Sequence, residues 1–214
     1  MRSWLPDDLH DGLLQALDLA IAEAGMRLAA QTGAAVDLAV TAVDALAPGA
    51  LALHLADSDL GGARQPLRAA VQEWRSRPSD FDTELALVLA DGDAAMLVRT
   101  LLGIAPATGA PLDAMESDAL AEVANALLNT TMETLAHLAR RAVVGSLPQL
   151  RDGTAAELFG DDPAGRAALV ARVSLGVAGR RLSARLVLRM PRPALESACD
   201  RWRADVQQPV TGAA

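Results

Sequence analysis

The sequence predicts an α+β fold, with a central antiparallel sheet of about six strands, two long helices packed on it and a pseudo-two-fold relation between its halves. Three observations carry that prediction. Each half opens with one long segment of helical apolar periodicity. Each then continues with short segments rich in Leu and Val that suit strands, and closes on a short helix. Residues also recur at a nearly constant offset: Asp18 and Pro48 return as Asp118 and Pro148, 100 positions on, and Leu87-Val88-Leu89 returns as Leu186-Val187-Leu188, 99 positions on. A drift of one residue is what a loop deletion produces, and a fixed order of elements at a fixed period marks tandem duplication. The chain is accordingly read as one domain, 1–214, of two repeats, 1–105 and 106–214.

In the first half, Leu9, Leu13, Leu14, Leu17, Ile21, Ala24 and Leu28 form one apolar stripe, which predicts a helix over 8–31. Strands are predicted over 36–46 and 51–55, separated by Pro48-Gly49. Segment 58–80, rich in Gly, Arg, Ser, Pro and Asp, reads as irregular around Trp74. A strand over 84–90 and a short helix over 91–102 complete this half. The stretch 103–111 is a Gly, Pro and Ala linker. Asp113 then stands where an N-cap is needed and Glu116 three residues later closes a capping box, so a helix starts there and runs to about residue 142. Pro148 and Gly153 then break the chain into short pieces. Strands over 169–178 and 181–190 flank the turn Ala178-Gly179, and a final helix covers 193–203.

Composition removes several chemistries. Hydrophobic residues make up 51% of the 214 positions but aromatic residues only 2%, so the core is built of Ala, Leu and Val. All 19 basic residues are Arg, which excludes a Schiff-base lysine and a phosphate-loop lysine. A net charge of −8 with no basic run longer than Arg140-Arg141 or Arg180-Arg181, together with so few rings, argues against nucleic acid as a partner. Cys199 is alone, and His10, His54 and His137 have no metal-ligand spacing, so no intrinsic metal or cofactor is expected. The polar start of the chain and the lack of a long apolar run predict a cytoplasmic protein without a membrane span.

The informative segment is the predicted second long helix. At 100° per residue, Asp118, Glu122, Asn125, Asn129 and Glu133 fall on the face opposite the Leu and Val stripe and are expected to face solvent. Glu122 and Asn125, three apart, are neighbours there. Asn125 and Asn129 are the only two Asn in the chain. The series Asp118-x3-Glu122-x2-Asn125-x22-Pro148 resembles the signature of the CheC, CheX and FliY family of chemotaxis phosphatases, in which Asp or Ser, Glu, Asn and Pro stand at these spacings. The flanks, over 85–103, 112–117 and 182–202, are also similar to CheC.

The resemblance implies a hydrolase that removes phosphate from the phosphoaspartate of a CheY-like receiver domain in two-component signalling. Asn125 would orient the attacking water, and Glu122 would accept a charge-assisted bond from the receiver's lysine; both are candidate catalytic residues. Asp118 and Asn129 are candidate docking residues, and Pro148 is structural. The resemblance also implies that Mg2+ is held by the phosphorylated receiver. A CheD-like protein and a homodimer remain open as partners. Positions 22 and 25, which match Glu122 and Asn125, are Ala22 and Gly25, so a single active site is inferred, closer in that respect to CheX than to a two-site CheC. The small face of Ala22, Gly25 and Ala29 is expected to pack against another subunit or segment 58–80. The alternatives are a silent module like the middle domain of FliM, which lacks the Glu and Asn, and a scaffold that binds a phosphorylated receiver without hydrolysing it.

Overall fold

The structure is a computed structural model, and it describes residues 4–105 and 110–206. Parts of the expected 103–111 linker and of the polar amino terminus lie outside those residues. Helix α1 (Asp7–Thr32) is followed by β1 (Val36–Leu46), α2 (Leu51–Ala56), β2 (Leu67–Ser76), β3 (Thr83–Ala90) and α3 (Asp91–Leu101). The second half runs α4 (Ala114–Leu138), β4 (Val143–Gly145), β5 (Gln149–Gly153), α5 (Ala155–Phe159), β6 (Arg166–Val177), β7 (Arg180–Pro191) and α6 (Arg192–Val206).

The seven strands form one antiparallel sheet in the order β1-β6-β7-β3-β2-β4, and β5 also pairs with β2. The order is the same from either edge: each half's first strand lies outermost, beside the other half's middle strand. At the centre, β3 meets β7 with Leu87 opposite Leu186, the residues that recur in the sequence. Strands β4 and β5 share one edge position, which reconciles seven strands with the six expected.

Local chemistry explains the elements that sequence predicts. Leu9, Leu13, Leu17, Ile21 and Leu28 of α1 are buried at helical spacing, and the helix stops at Gly33, whose φ of 70° lets its N–H return to the Ala29 carbonyl. The β6–β7 turn carries positive φ at both Ala178 and Gly179, as a tight two-residue hairpin requires. Helix α4 ends at Leu138, short of residue 142, because Arg140 adopts a φ of 54° and the Arg141 N–H turns back to the Ala136 carbonyl at 2.8 Å.

Two expectations are corrected. Segment 51–55 is helix α2, not a strand: Leu51 and Leu55 are buried one turn apart while Leu53 is 61% exposed. Segment 58–80 is not irregular throughout, because it contains the ten-residue strand β2. The core lies on both faces of the sheet. On one face α1, α3, α4 and α6 pack over Leu85, Leu87, Leu89, Leu186 and Leu188. On the other, α2 and α5 cover Val71, Val88, Val170 and Val187, with Phe159 as the largest wedge. Cys199 is a free, buried thiol whose burial pushes its pKa up to about 12.

Candidate functional site

Helix α4 carries the candidate residues and is fixed at both ends. At its start the predicted capping box is present: Asp113 Oδ1 accepts from the Glu116 N–H at 2.8 Å, and Glu116 Oε2 accepts from the Asp113 N–H at 3.0 Å. Glu116 also receives Arg99 of α3 at both oxygens, with Nε at 2.6 Å and Nη2 at 3.1 Å, and both side chains are buried. The Arg99 guanidinium, helped by the Asp113 N–H, holds the Glu116 carboxyl below its ordinary value. Toward the other end, the Trp202 indole N–H of α6 donates to the Leu135 carbonyl at 2.9 Å.

Between these clamps the polar stripe divides. Asp118, Glu122 and Glu133 are exposed, as expected. Asn125 and Asn129 are only half exposed, which corrects the expectation of a wholly solvent-facing stripe. Both turn toward Gln72 on β2, a residue that sequence reasoning passed over. Gln72 is 1% exposed, and its Nε2 lies 2.9 Å from Asn125 Oδ1, 3.1 Å from the Ser146 carbonyl and 3.4 Å from Asn129 Oδ1. The signal was a polar residue on the strand face shared with Ala70 and Trp74, visible only once 67–76 is read with a period of two.

The edge strand explains how Gln72 meets Ser146. Strand β5 pairs with residues Leu67 to Val71 of β2 and β4 with residues Trp74 to Ser76, so Gln72 and Glu73 face the break between them. Ser146 bridges that break: its N–H donates to the Glu73 carbonyl at 2.9 Å and its Oγ accepts from the Glu73 N–H at 3.1 Å. Gly145 lets the edge come this close, because a Cβ there would sit 2.8 Å from the Trp74 ring. Pro148 is half-buried in the same link and carries no polar contact to Asn125. Leu147, beside it, is 80% exposed.

Glu122 and Asn125 open onto a cleft of about 470 Å³ between α4, the end of α1 and the end of α3, walled by Leu28, Val98, Leu101 and Val123. Asp118 stands one turn before Glu122, outside that lining. A smaller concavity of about 190 Å³ elsewhere is lined by charges that already pair with each other, among them Arg189 with Glu84 at 2.8 Å. Among the described residues, no three or more His, Cys, Asp or Glu side chains converge to hold a metal, and no helix is long and apolar enough to cross a membrane.

The corresponding face of α1 is closed at Gly25. Strand β1 runs through residues 36–46 with a single register shift between Val40 and Ala42, and Asp18 Oδ1 accepts from the Val40 N–H at 2.8 Å. Gly25 is buried, and a Cβ on it would lie 2.9 Å from Leu38 Cγ. Gly25 therefore packs on the strand of its own half, not on segment 58–80, while Ala22 and Ala29 beside it are partly exposed.

No family model and no curated protein matches this sequence. Solved structures do match in three dimensions. FliY from Thermotoga maritima superposes with a TM-score of 0.70 at 13% identity, over 94% of this chain and 99% of that one. The chain has the CheC/CheX/FliY fold. Within that fold, the FliM middle domain from H. pylori superposes with a TM-score of 0.63 at 11% identity, over 92% of this chain and 99% of its own. A chain of the FliG–FliM complex from H. pylori gives 0.65 at 12% identity, over 92% and 100%. These proteins share their fold with this chain at identities that speak for architecture alone.

Proposed function

We propose that this protein is a phosphatase for the phosphoaspartate of a CheY-like receiver domain in chemotaxis signalling. The observation that carries the reading is the pair Glu122 and Asn125, side by side on a helix clamped at both ends, opening onto the cleft between α4, α1 and α3.

Phosphoryl transfer asks little covalent chemistry of the enzyme and much positioning. A carbonyl oxygen has two lone pairs, and Gln72 takes one from Asn125 Oδ1. The second lone pair and the Nδ2 hydrogens are left to hold a water in line with the breaking bond, without adding negative charge. Glu122, exposed and anionic, accepts the receiver's lysine and sets the approach. The Mg2+ that neutralises the phosphoryl group comes with the receiver, which fits a helix face offering one carboxylate beside an amide. Receivers of this kind place the reaction in the cytoplasm. With a formal charge of −8 the chain repels an acidic receiver at long range, so docking rests on short contacts at the cleft.

A second reading, a scaffold like FliM, is favoured by one observation: the fold likeness extends to FliM middle domains. One experiment separates the two. The protein is mixed with a phosphorylated receiver and phosphate loss is followed. Wild type hastens the decay, Asn125→Ala and Glu122→Ala each remove most of the effect, and Glu122→Ala also weakens binding. Equal decay in all three samples refutes the enzymatic reading and leaves the scaffold.

A further inference from the structure

Gln72 is placed where an amide is expensive. It is 1% exposed on a face it shares with Ala70 and Trp74, and its Oε1 is buried without a hydrogen-bond partner. A buried amide oxygen left unpaired costs stability, and a Leu of similar length would fill the space without that cost. The gain must come from the other end of the amide. Its Nε2 joins Asn125 Oδ1, at 2.9 Å, to the Ser146 carbonyl, at 3.1 Å.

The polarity of this contact is determined by the main chain. The Ser146 carbonyl can only accept, so Gln72 must turn its NH2 toward it and cannot flip. The group that Asn125 meets is therefore always a donor. Asn125 must then present Oδ1 inward and Nδ2 outward, since the reverse would set donor against donor. We infer that Gln72 is a positioning residue that sets which end of the Asn125 amide faces the incoming phosphoryl group. The first half of the chain, which has Ala22 and Gly25 where Glu122 and Asn125 stand, thereby supplies the residue that orients the reactive amide of the second.

The activity consequence rests on the phosphatase reading; the structural one does not. Gln72→Leu keeps the volume and removes the orphan oxygen, and the Ser146 carbonyl, on an exposed residue, turns to water, so the variant folds. Its kcat falls by about tenfold, the worth of one hydrogen bond, while binding of a beryllofluoride-activated receiver changes by less than about threefold. Gln72→Glu places an acceptor where the donor was and reverses Asn125, so its kcat falls by about a hundredfold, the cost of a misplaced reacting group. Burial raises the new carboxyl's pKa. The protonated form carries a single O–H, which the Ser146 carbonyl takes because it can only accept, so Asn125 still meets an acceptor and the activity of Gln72→Glu, relative to the receiver's own decay, stays low as pH falls.

Gln72→Leu added to Asn125→Ala costs nothing further, because the two act as one unit. Wild-type kcat in Gln72→Leu, or an added loss in the double variant, overturns the inference. Should wild type fail to hasten the decay, the phosphatase reading falls, and NMR tests the positioning directly. In Gln72→Glu the Asn125 Nδ2 hydrogens turn inward and exchange with water more slowly than in wild type; unchanged exchange overturns the inference.

Discussion

Replacing Gly25 by Ala should stabilise a helix interior by roughly 1 kcal/mol on intrinsic propensity. In this protein we expect the opposite sign. The added methyl would lie 2.9 Å from Leu38 Cγ and 3.3 Å from Leu38 Cβ and Cδ1. Leu38 is 4% exposed on a strand held by β6 on one side and by the Asp18 bond to the Val40 N–H on the other, so it has little room to retreat. Overpacking of this kind costs about 1–3 kcal/mol. Subtracting the propensity gain leaves Gly25→Ala less stable by about 1 kcal/mol, from the same two terms. Urea unfolding followed by tryptophan fluorescence measures this, with the m-value unchanged. Leu38→Ala alone costs roughly 2–5 kcal/mol, but in that background the new methyl occupies vacated space and Gly25→Ala becomes favourable. A Gly25→Ala variant more stable than wild type with Leu38 intact would refute the packing argument. The same geometry says that grafting Ala22→Glu and Gly25→Asn onto α1 does not reproduce the arrangement of Glu122 and Asn125, since an Asn there needs the volume that Leu38 holds.

Two further outcomes come from the clamps on α4. Glu116 has a carboxyl pKa lowered chiefly by its hydrogen bond from Arg99, so its contribution is complete above its ordinary value of 4.5 and is lost as pH falls through the lower folded value. Stability measured between neutral pH and pH about 3 should therefore fall less steeply in Glu116→Gln than in wild type, and parallel slopes would contradict it. Trp202 is 0% exposed, meets Phe81 edge-on at 6.3 Å and bonds the Leu135 carbonyl. Trp202→Ala should cost about 3–5 kcal/mol in chemical denaturation, and a loss below roughly 1 kcal/mol would show that α6 does not hold α4.

How far the chain could be read depended on whether a pattern was local. The capping box at Asp113 and Glu116, the stripe of α1 and the turn at Ala178-Gly179 depend on near neighbours and were legible. The partner of Glu116 was not, because Arg99 lies 17 residues back and nothing marks it in sequence. Leu51, Leu53 and Leu55 satisfy a period of two as well as an i, i+4 pair, and over so short a stretch only the structure separates them. Strand β2 was hidden by its polar residues Gln72, Glu73 and Arg75 and by flanking Gly and Pro. Strands β4 and β5, three and five residues long at an exposed edge, carry no alternation to detect. At the site, Glu122 and Asn125 were visible as a motif, whereas Gln72 depends on a pairing across 53 positions.

The exchange of edge strands across the sheet limits how such a chain can change over time. Strand β1 completes the sheet beside β6, while β4 and β5 complete it beside β2. The half without a Glu and an Asn on its long helix is therefore not dispensable: deletion of residues 1–105 would strip β6 of one neighbour and leave β4 and β5 with none. On the long helix of that half, position 25 can change only within what Leu38 tolerates. Each half depends on the other for the strand that closes its edge.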